Sequence, residues 1–358
     1  MYKFLRNILF LFDPEAVHTF SMNVLRILCG IPFIKEIIAR RYATSASPAK
    51  VSGLLFKNPI GLAAGFDKNA KYLFELETLG FGFVEIGTVT PLPQKGNGKP
   101  RLFRLSKDGA LINRMGFNND GVQIIANRLQ KWKLRSGEGN AEFGSSNYKI
   151  LIGGNIGKNK HTPNEDAWRD YEICFRELHE LVDYFVINVS SPNTPGLREL
   201  QEEDLLRKIV SNLQNINRSL AKPKPLFLKI APDLSKEQLD QIIDLAIELD
   251  LSGLVATNTT ILREGLVTPP FDVESMGTGG LSGKPLKTMS TNIIRRIHLR
   301  TNGKLLVIGS GGIFTKEDAH EKFDAGASLI QVWTGFIYEG PSIVKNLCRS
   351  ISGAVNPD

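Results

Sequence analysis

The chain has 358 residues, of which 42% are hydrophobic and 23% charged, a balance typical of a soluble globular core and not of a disordered or collagen-like chain. Its formal net charge of +7 suits anionic ligands or an anionic membrane surface, but no block of lysine and arginine interleaved with aromatic residues is present, which argues against nucleic-acid binding. Cys29, Cys174 and Cys348 form no CxxC pair and the five histidines show no ligand spacing, so we predict a reducing compartment, no disulfide and no metal site.

The first 40 residues predict a helical extension that carries apolar and basic side chains. The apolar run Phe4–Phe12 is too short to cross a membrane, and it ends at Asp13, which with Pro14 forms a typical helix start. This second helix is predicted to run to about Cys29, where Gly30 closes it, with apolar residues at helical spacing. Composition alone allows two interpretations: the helices pack on the remaining chain, or they lie in a membrane interface.

Beyond residue 58, short apolar runs alternate with longer segments of helical periodicity. The runs predict strands near Ile60–Ala64, Phe83–Gly87, Ile150–Asn155, Phe185–Val189, Leu226–Ile230, Gly253–Thr257, Leu305–Gly309 and Ser328–Val332. Between them, Ser235–Leu249 has the apolar spacing of a helix, and the segment rich in glycine, serine and asparagine at 136–147 predicts a surface loop. Eight strand–helix repeats predict an α/β fold, a closed (β/α)8 TIM barrel with functional residues at the carboxyl ends of its strands.

The segment after the apolar run Tyr184–Ile187 has the composition of a catalytic loop. Asn188, Ser191 and Asn193 stand where a strand ends, and two prolines restrict the path of the chain that carries them. Amides supply both donors and acceptors, and a serine handles a proton. The pattern predicts a site for a planar, polar substrate with one proton-transfer residue.

Other predicted strand ends and loops are also polar. Asn113, in an apparent loop, and Asn155, at the end of the third predicted strand, add two amides, which need partners if buried and match a ring that has both donors and acceptors. Lys68 follows small residues and could hold a carboxylate or phosphate, or be a surface lysine on a tight turn. Lys229 lies inside an apolar strand, where it could stabilise negative charge on a bound ring, form a Schiff base, or make an inter-strand salt bridge.

Two further segments have ligand-binding composition. Glycines follow the seventh predicted strand, and Trp333 and Thr334 follow the eighth; barrels often bind phosphate with these two loops. The segment 113–119, NRMGFNN, combines amides, a cation, a glycine and an aromatic residue, which suits a heteroaromatic ring that bears a carboxylate. Arg114 could equally be a structural salt-bridge partner.

These segments resemble the dihydroorotate dehydrogenases, flavin enzymes of pyrimidine biosynthesis, over essentially the whole chain. The resemblance rests on NVSSPNTPGL at 188–197, AAGFDK at 63–68, NRMGFNN at 113–119 and GGLSG at 279–283, a glycine-rich segment that is predicted to form a loop. Ser191 is similar to the serine of the membrane-associated, quinone-dependent class, whereas the soluble class has cysteine there. The resemblance implies oxidation of (S)-dihydroorotate to orotate: Ser191 takes the C5 proton, flavin mononucleotide (FMN) accepts a hydride from C6, and ubiquinone or menaquinone reoxidises the flavin.

The resemblance also implies roles for individual residues. The cofactor-binding residues it implies are Ala64, Gly65, Phe66, Asp67, Lys68, Thr88, Asn155, Asn188, Lys229, Thr257, Gly283, Gly312, Trp333 and Thr334. The substrate-binding residues it implies are Lys68, Asn113, Arg114, Met115, Gly116, Phe117, Asn188, Asn193, Asn258 and Thr259, and the quinone residues are His18 and Arg104. Trp333 departs from the tyrosine usual in the family, so a phenolic hydroxyl contact to the flavin phosphate is lost while backbone donation survives.

By the same resemblance, residues 1–40 dock on the membrane and form the mouth of a quinone tunnel, and residues 41–358 form the catalytic barrel. It implies a peripheral protein on the cytoplasmic face of the cell (inner) membrane, a monomer or weak oligomer without a nucleic-acid partner, and a mobile lid at 194–198. Rival interpretations are a flavin-free Schiff-base lyase or phosphate-sugar isomerase that uses Lys229, a non-enzymatic membrane-binding module, and a soluble fumarate- or NAD-linked enzyme of the family. The module leaves the strand-end asparagines unexplained, and Ser191 together with the amino-terminal helices argues against the soluble enzyme.

Overall fold

The computed structural model describes residues 2–136 and 149–351, so the predicted loop at 136–147 lies almost entirely outside the described residues. The strands are β1 (Ala49–Val51), β2 (Leu54–Phe56), β3 (Ile60–Leu62), β4 (Phe83–Val89), β5 (Leu102–Leu105), β6 (Ala110–Asn113), β7 (Leu151–Ile156), β8 (Tyr184–Asn188), β9 (Leu226–Lys229), β10 (Gly253–Ala256), β11 (Gly280–Gly283), β12 (Leu306–Ser310) and β13 (Leu329–Val332). Strands β3, β4, β7, β8, β9, β10, β12 and β13 pair in parallel in that order, and β13 pairs with β3 to close a barrel. These are the eight predicted strands, which confirms the predicted (β/α)8 barrel.

Burial on both faces explains why short apolar runs form these strands. Every residue of β4 and β8 is buried, as expected for parallel strands with side chains on the inside and helices on the outside. Phe83, Tyr184 and Phe227 pack together inside the barrel with Phe56 of the antiparallel hairpin β1–β2. Aromatic rings therefore fill this part of the lumen, and polar groups are left to the part nearer the carboxyl ends of the strands.

Helices surround the barrel and extend from its amino terminus. They are α1 (Tyr2–Leu9), α2 (Pro14–Cys29), α3 (Pro32–Tyr42), α4 (Leu73–Thr78), α5 (Val122–Ser136), α6 (Ala167–Leu178), α7 (Glu203–Ser219), α8 (Lys236–Glu248), α9 (Pro270–Ser275), α10 (Lys287–Thr301), α11 (Lys316–Asp324), α12 (Thr334–Glu339) and α13 (Ile343–Ile351). Ser235 starts α8 with a capping box, in which it exchanges hydrogen bonds with Gln238. Within the described ranges, no helix combines the length and the apolar character needed to span a membrane.

The amino-terminal extension contains three helices where the sequence predicted two. Asp13 caps α2 as predicted, since its Oδ1 accepts a hydrogen bond of 2.8 Å from Ala16 N. Glu15 of α2 forms a two-pronged ion pair with buried Arg101, with N–O distances of 2.6 and 3.0 Å. This pair fixes α2 to the side of the barrel near the carboxyl-terminal rim.

A three-stranded antiparallel sheet, β11–β6–β5, lies outside the barrel. The glycine-rich segment at 279–283 was predicted as a loop, and this prediction is wrong because its backbone pairs with β6, with Gly280 opposite Asn113. Glycine has a low intrinsic strand preference, so the hydrogen-bond ladder with β6 and the packing of Leu281 in a cluster with Leu105 and Ile112 hold β11 in place. The sheet positions Asn113 at the rim of the barrel.

Candidate functional site

Residues at the carboxyl ends of the barrel strands surround a cavity of about 740 Å³, including its open mouth. The predicted site residues that line it are Ala64, Gly65, Lys68, Asn113, Met115, Lys229, Thr257, Asn258, Thr259, Gly283, Gly312, Trp333 and Thr334. The parallel strands of the barrel all end at one rim, and the sheet β11–β6–β5 adds Asn113 and Gly283 to the same cavity. A cavity of this kind has the size of a small-molecule site.

Three buried polar side chains form a hydrogen-bonded cluster at the ends of β4, β7 and β8. Thr88 Oγ1 donates to Asn155 Oδ1 over 2.5 Å, and Asn188 Nδ2 donates to Thr88 Oγ1 and Asn155 Oδ1 over 2.8 and 3.1 Å. Lys229 stands beside this cluster, opposite Asn188 in the β8–β9 register. Gly87 allows β4 to approach β7 closely, because a Cβ at this position would lie 2.3 Å from Asn155 O. Its φ of +99° also favours glycine. The cluster presents fixed donors and acceptors to a bound ring.

Lys68 is an amine without a carboxylate partner among the described residues. Its Nζ donates to the carbonyl of Gly116 over 3.2 Å and to the side-chain oxygen of Asn118, both of them neutral groups. Burial, reinforced by the positive charge of Arg101, lowers the pKa of Lys68 to about 7. An anion bound beside Nζ favours the charged form, so Lys68 is suited to hold a ligand carboxylate.

Ser191 and Asn193 stand on the loop that follows β8. Ser191 is buried, with 7% of its surface exposed, and its Oγ accepts a hydrogen bond of 3.3 Å from Asn193 N. Asn193 Nδ2 donates to Asn113 Oδ1 over 3.4 Å, whereas Asn193 Oδ1 is buried and has no protein partner. A buried acceptor without a donor is unfavourable, so this oxygen suits an N–H of a ligand. Ser191 does not itself line the cavity, but Asn193 connects it to the cavity residue Asn113.

Arg198 fixes the end of this loop to neighbouring segments. Its guanidinium forms an ion pair of 2.8 Å with Asp233, and it donates to the carbonyls of Ser190 and Thr259 over 3.2 and 3.0 Å. Asn258 Nδ2 donates to Ser190 Oγ over 3.0 Å. The loop is therefore anchored at Arg198, and the mobility of the segment 194–198 stays a prediction.

The loops after β12 and β13 form the wall predicted to hold a phosphate. Only glycine fits at position 312, because its φ is +72° and a Cβ there would lie 2.4 Å from Lys287 Cβ. Thr334 Oγ1 lies 2.8 Å from Ser282 Oγ, and Trp333 immediately precedes α12. Gly311, Gly312 and Thr334 line the cavity here, and glycine-rich loops beside a helix start suit an anion.

Several predicted ligand residues have structural contacts instead of lining the cavity. The Asp67 carboxylate accepts two backbone hydrogen bonds of 2.8 Å from the following turn. The Arg114 guanidinium donates to Pro100 O over 2.9 and 3.2 Å and lies over the ring of Phe103, so its contacts are structural, but no described carboxylate forms the salt bridge considered for it. Phe117 packs in the hydrophobic core. Direct ligand contacts of these side chains stay predictions.

A second, mainly apolar cavity of about 1740 Å³, including its mouth, lies between α1, α2 and the rim. His18 and Arg104, the predicted quinone residues, both line it. The His18 ring lies edge-on to Phe66 with centroids 4.6 Å apart, and burial lowers the pKa of His18 to about 4, so the imidazole is neutral at pH 7. The residues that line both cavities include Gly65, Met115 and Trp333.

Sequence reasoning missed Glu85 and Gln331 inside the barrel. Glu85 is fully buried, Gln331 Nε2 donates to its Oε2 over 2.5 Å, and Lys229 Nζ lies 3.7 Å from its Oε1. The inter-strand salt bridge considered for Lys229 is therefore present. The signal that could have identified Glu85 was the one used for Lys229, a charge inside an apolar strand. Within residues 2–136 and 149–351, no cluster of three or more metal-ligating side chains occurs.

The chain is similar to known proteins over nearly its full length. Residues 47–355 match a family model described as dihydroorotate dehydrogenase. A protein of Christiangramia forsetii named dihydroorotate dehydrogenase (quinone) is 52% identical over 354 residues, which are 98% of either chain. A protein of the same name from Synechococcus sp. strain JA-3-3Ab is 52% identical over 96% of this chain and 89% of that protein. The crystal structure of Eimeria tenella DHODH in complex with ferulenol has 39% identity and a TM-score of 0.81, and the match covers 95% of this chain and 90% of that one.

Proposed function

The chain belongs to the dihydroorotate dehydrogenase family, and we propose that it oxidises (S)-dihydroorotate to orotate with a quinone as the final electron acceptor. The observation that carries this proposal is the grouping of Lys68, Asn193 and Ser191 at one rim. An amine without an anionic partner suits the carboxylate of dihydroorotate, the unpaired amide oxygen suits a ring N–H, and the serine suits the C5 proton.

Product analysis with separate acceptors tests this function. Purified protein mixed with dihydroorotate should form orotate with a water-soluble quinone and not with fumarate or NAD. Orotate formed only with fumarate or NAD would assign the soluble class, and no orotate with any acceptor would contradict the proposal.

FMN is the cofactor, and the described residues fit it. Ala64 and Gly65 leave room for a flat ring at the end of β3, and position 312 accepts only a glycine beside the predicted phosphate. The buried cluster of Thr88, Asn155 and Asn188 supplies polar partners for the ring. When bound, FMN supplies the two-electron acceptor for the C6 hydrogen of the substrate.

In the proposed reaction, Ser191 Oγ takes the C5 proton. Serine is a poor base at its ordinary pKa, so the charge that develops on Oγ must be stabilised, and Asn193 N donates to this atom. Lys68 holds the substrate carboxylate, and the asparagines at the rim hold the edges of the ring. Lys229, at the end of β9, stabilises negative charge that develops on the cofactor side of the site.

Substrate affinity should fall as pH rises above about 7. The pKa of Lys68 is about 7 in the free protein, so below pH 7 the ammonium that the carboxylate needs is already present. Above pH 7 binding must add a proton, and the affinity for orotate should fall by up to about tenfold per pH unit. Spectral titration with orotate from pH 6 to 8.5 measures this.

Two variants distinguish the titration of Lys68 from that of other groups that could change the affinity for orotate. Lys68→Arg keeps its charge over the whole range, so its affinity should show no such decline. Lys71→Met removes a neighbouring lysine, which pairs with Asp120, and should keep the wild-type pH profile. If the affinity of Lys68→Arg for orotate fell with pH as in wild type, the assignment of Lys68 to the substrate carboxylate would be contradicted.

The quinone is proposed to enter through the apolar cavity beside α2. Gly65, Met115 and Trp333 line both cavities, so only a thin wall separates the quinone from the cofactor site. His18, neutral at pH 7, can exchange a hydrogen bond with a quinone carbonyl without adding a buried charge. The same cavity would accept ubiquinone or menaquinone.

Residues 1–40 are proposed to dock peripherally on the cytoplasmic face of the cell membrane, with the protein a monomer or weak oligomer. The support is a set of strongly exposed apolar side chains on α1–α3 and the link that follows α1: Phe4, Leu11, Phe12, Phe20, Ile27 and Phe33. Basic residues such as Arg40 and Arg41 stand near them at the end of α3. Apolar anchors combined with basic side chains are typical of helices that lie in a membrane interface.

Vesicle sedimentation with anionic lipid tests this docking. The triple variant Leu11→Ser, Phe12→Ser, Phe33→Ser should lower the partition coefficient by at least about tenfold, because each apolar side chain contributes about 1.5–3 kcal/mol when buried. The control Leu134→Ser, Phe271→Ser, Leu299→Ser removes three equally exposed apolar side chains elsewhere and should bind like wild type. Equal losses in both variants would contradict docking through the helices.

A further inference from the structure

Glu85 is a buried carboxylate at the centre of the barrel, directly below the polar cluster of the site. It belongs to β4, and none of its surface is exposed. Its Oε1 accepts from Asn155 Nδ2 over 2.7 Å, and its Oε2 accepts from Gln331 Nε2 over 2.5 Å. Lys229 Nζ lies 3.7 Å from Oε1. Side chains of β7, β9 and β13 therefore converge on this carboxylate across the lumen.

These contacts define how the carboxylate is held in the barrel. Asn155 and Gln331 donate hydrogen bonds to Glu85, and Lys229 lies beside it as a cation, so the Glu85 oxygens act as acceptors toward all three groups. A buried carboxylate is unfavourable unless it is paired and hydrogen-bonded, and Lys229 supplies the charge partner. Removal of either charge leaves the other buried without compensation.

The carboxylate also determines which way the Asn155 amide faces. Because Asn155 Nδ2 donates to Glu85, its Oδ1 is directed to Thr88 and Asn188, from which it accepts hydrogen bonds of 2.5 and 3.1 Å. If residue 85 offered no acceptor, no other described group on that side of Asn155 would hold its amide in this orientation. Glu85 thus contacts two of the residues proposed to bind the cofactor and reaches two more through Asn155.

We propose that Glu85 is a positioning residue for the flavin end of the site, which holds the Lys229 side chain in place and fixes the Asn155 amide. The inference rests on the proposed function, because it assumes that FMN lies above this cluster. A reduced flavin carries negative charge, so a nearby ammonium stabilises it relative to the oxidised form. Loss of Glu85 removes the partner that holds the Lys229 side chain in this position, and it therefore lowers the reduction potential of the bound flavin indirectly, by displacing the ammonium.

A double-mutant cycle on the flavin potential tests this role. We compare wild type, Glu85→Gln, Lys229→Met and the double variant, each at equilibrium with a reference dye. Each single substitution should weaken the preference for reduced over oxidised flavin by about tenfold, which is about 30 mV for a two-electron couple. The double variant should shift no further than Lys229→Met alone, because Glu85 acts through that lysine.

Other variants keep the test decisive. If Glu85→Gln does not fold, the double variant, which removes both buried charges, is still compared with Lys229→Met. Glu75→Gln is the matched control, since Glu75 is a buried glutamate of α4 outside the lumen, and it should leave the potential unchanged. An unshifted potential in Glu85→Gln, or shifts that add in the double variant, would overturn the positioning role. If wild-type protein binds FMN and dihydroorotate reduces it, the proposed function holds whether or not Glu85 has the positioning role. If wild-type protein binds no flavin, both the proposed function and the positioning role are overturned.

Discussion

Ser191→Ala is expected to lower the rate of flavin reduction by dihydroorotate by at least about a hundredfold, the lower bound of what a positioned general base contributes. The reason is that no other group is free to act as the base. Among the described residues that line the cavity, none is a carboxylate or a histidine, and Lys68 and Lys229 are assigned to the substrate carboxylate and to the cofactor. The Ser191 hydroxyl accepts from Asn193 N, a contact that an alanine cannot replace. Anaerobic stopped-flow absorbance of the flavin band measures the rate.

The same variant should keep its cofactor and its substrate site. Flavin content and the affinity for orotate should be close to wild type, because Lys68 and the asparagines are untouched. Ser191→Cys is the conservative control and should recover part of the rate, since the soluble class of the family uses a cysteine at this place. A near-normal reduction rate in Ser191→Ala would remove Ser191 from the role of base.

Ser21→Trp should impair the quinone half-reaction and spare flavin reduction. Ser21 lines the apolar cavity from α2, and an indole there would occupy space that the quinone needs. If the indole weakens the binding free energy of the quinone by about 1.4 kcal/mol or more, the affinity for the quinone falls at least about tenfold. Steady-state turnover over a range of quinone concentrations, beside the stopped-flow reduction rate, separates the two half-reactions.

Thr19→Trp is the matched control on the same helix. Thr19 is exposed and does not line the cavity, so an indole there should leave the quinone KM unchanged. Normal quinone turnover in Ser21→Trp would contradict entry through this cavity. An equal loss of both half-reactions would indicate damage to the fold instead.

The strand pattern alone was enough to predict the barrel. Parallel strands are buried on both faces, so their apolar runs are visible in the sequence, and closure brings their polar ends to one rim. This is why Lys68, Lys229 and Asn258 were predicted from separate segments and line one cavity.

Features that depend on distant partners were not predictable in the same way. The strand β11 is held by pairing with β6, which lies far away in the chain, and its glycines carry no strand signal. Glu85 was visible as a charge inside an apolar strand, but its acceptor role depends on Gln331, 246 residues away. The structural role of Arg114 required the position of Pro100 O, which only the folded chain provides.

The most direct test of the central claim is anaerobic mixing of the purified protein with dihydroorotate while the visible flavin band is monitored. We expect the band to bleach and to return on addition of a soluble quinone, but not of fumarate or NAD. A yellow protein that does not bleach would keep the flavin barrel and contradict the substrate. A colourless protein that cannot be reconstituted with FMN would contradict the flavin mechanism as a whole and favour a Schiff-base reaction at Lys229.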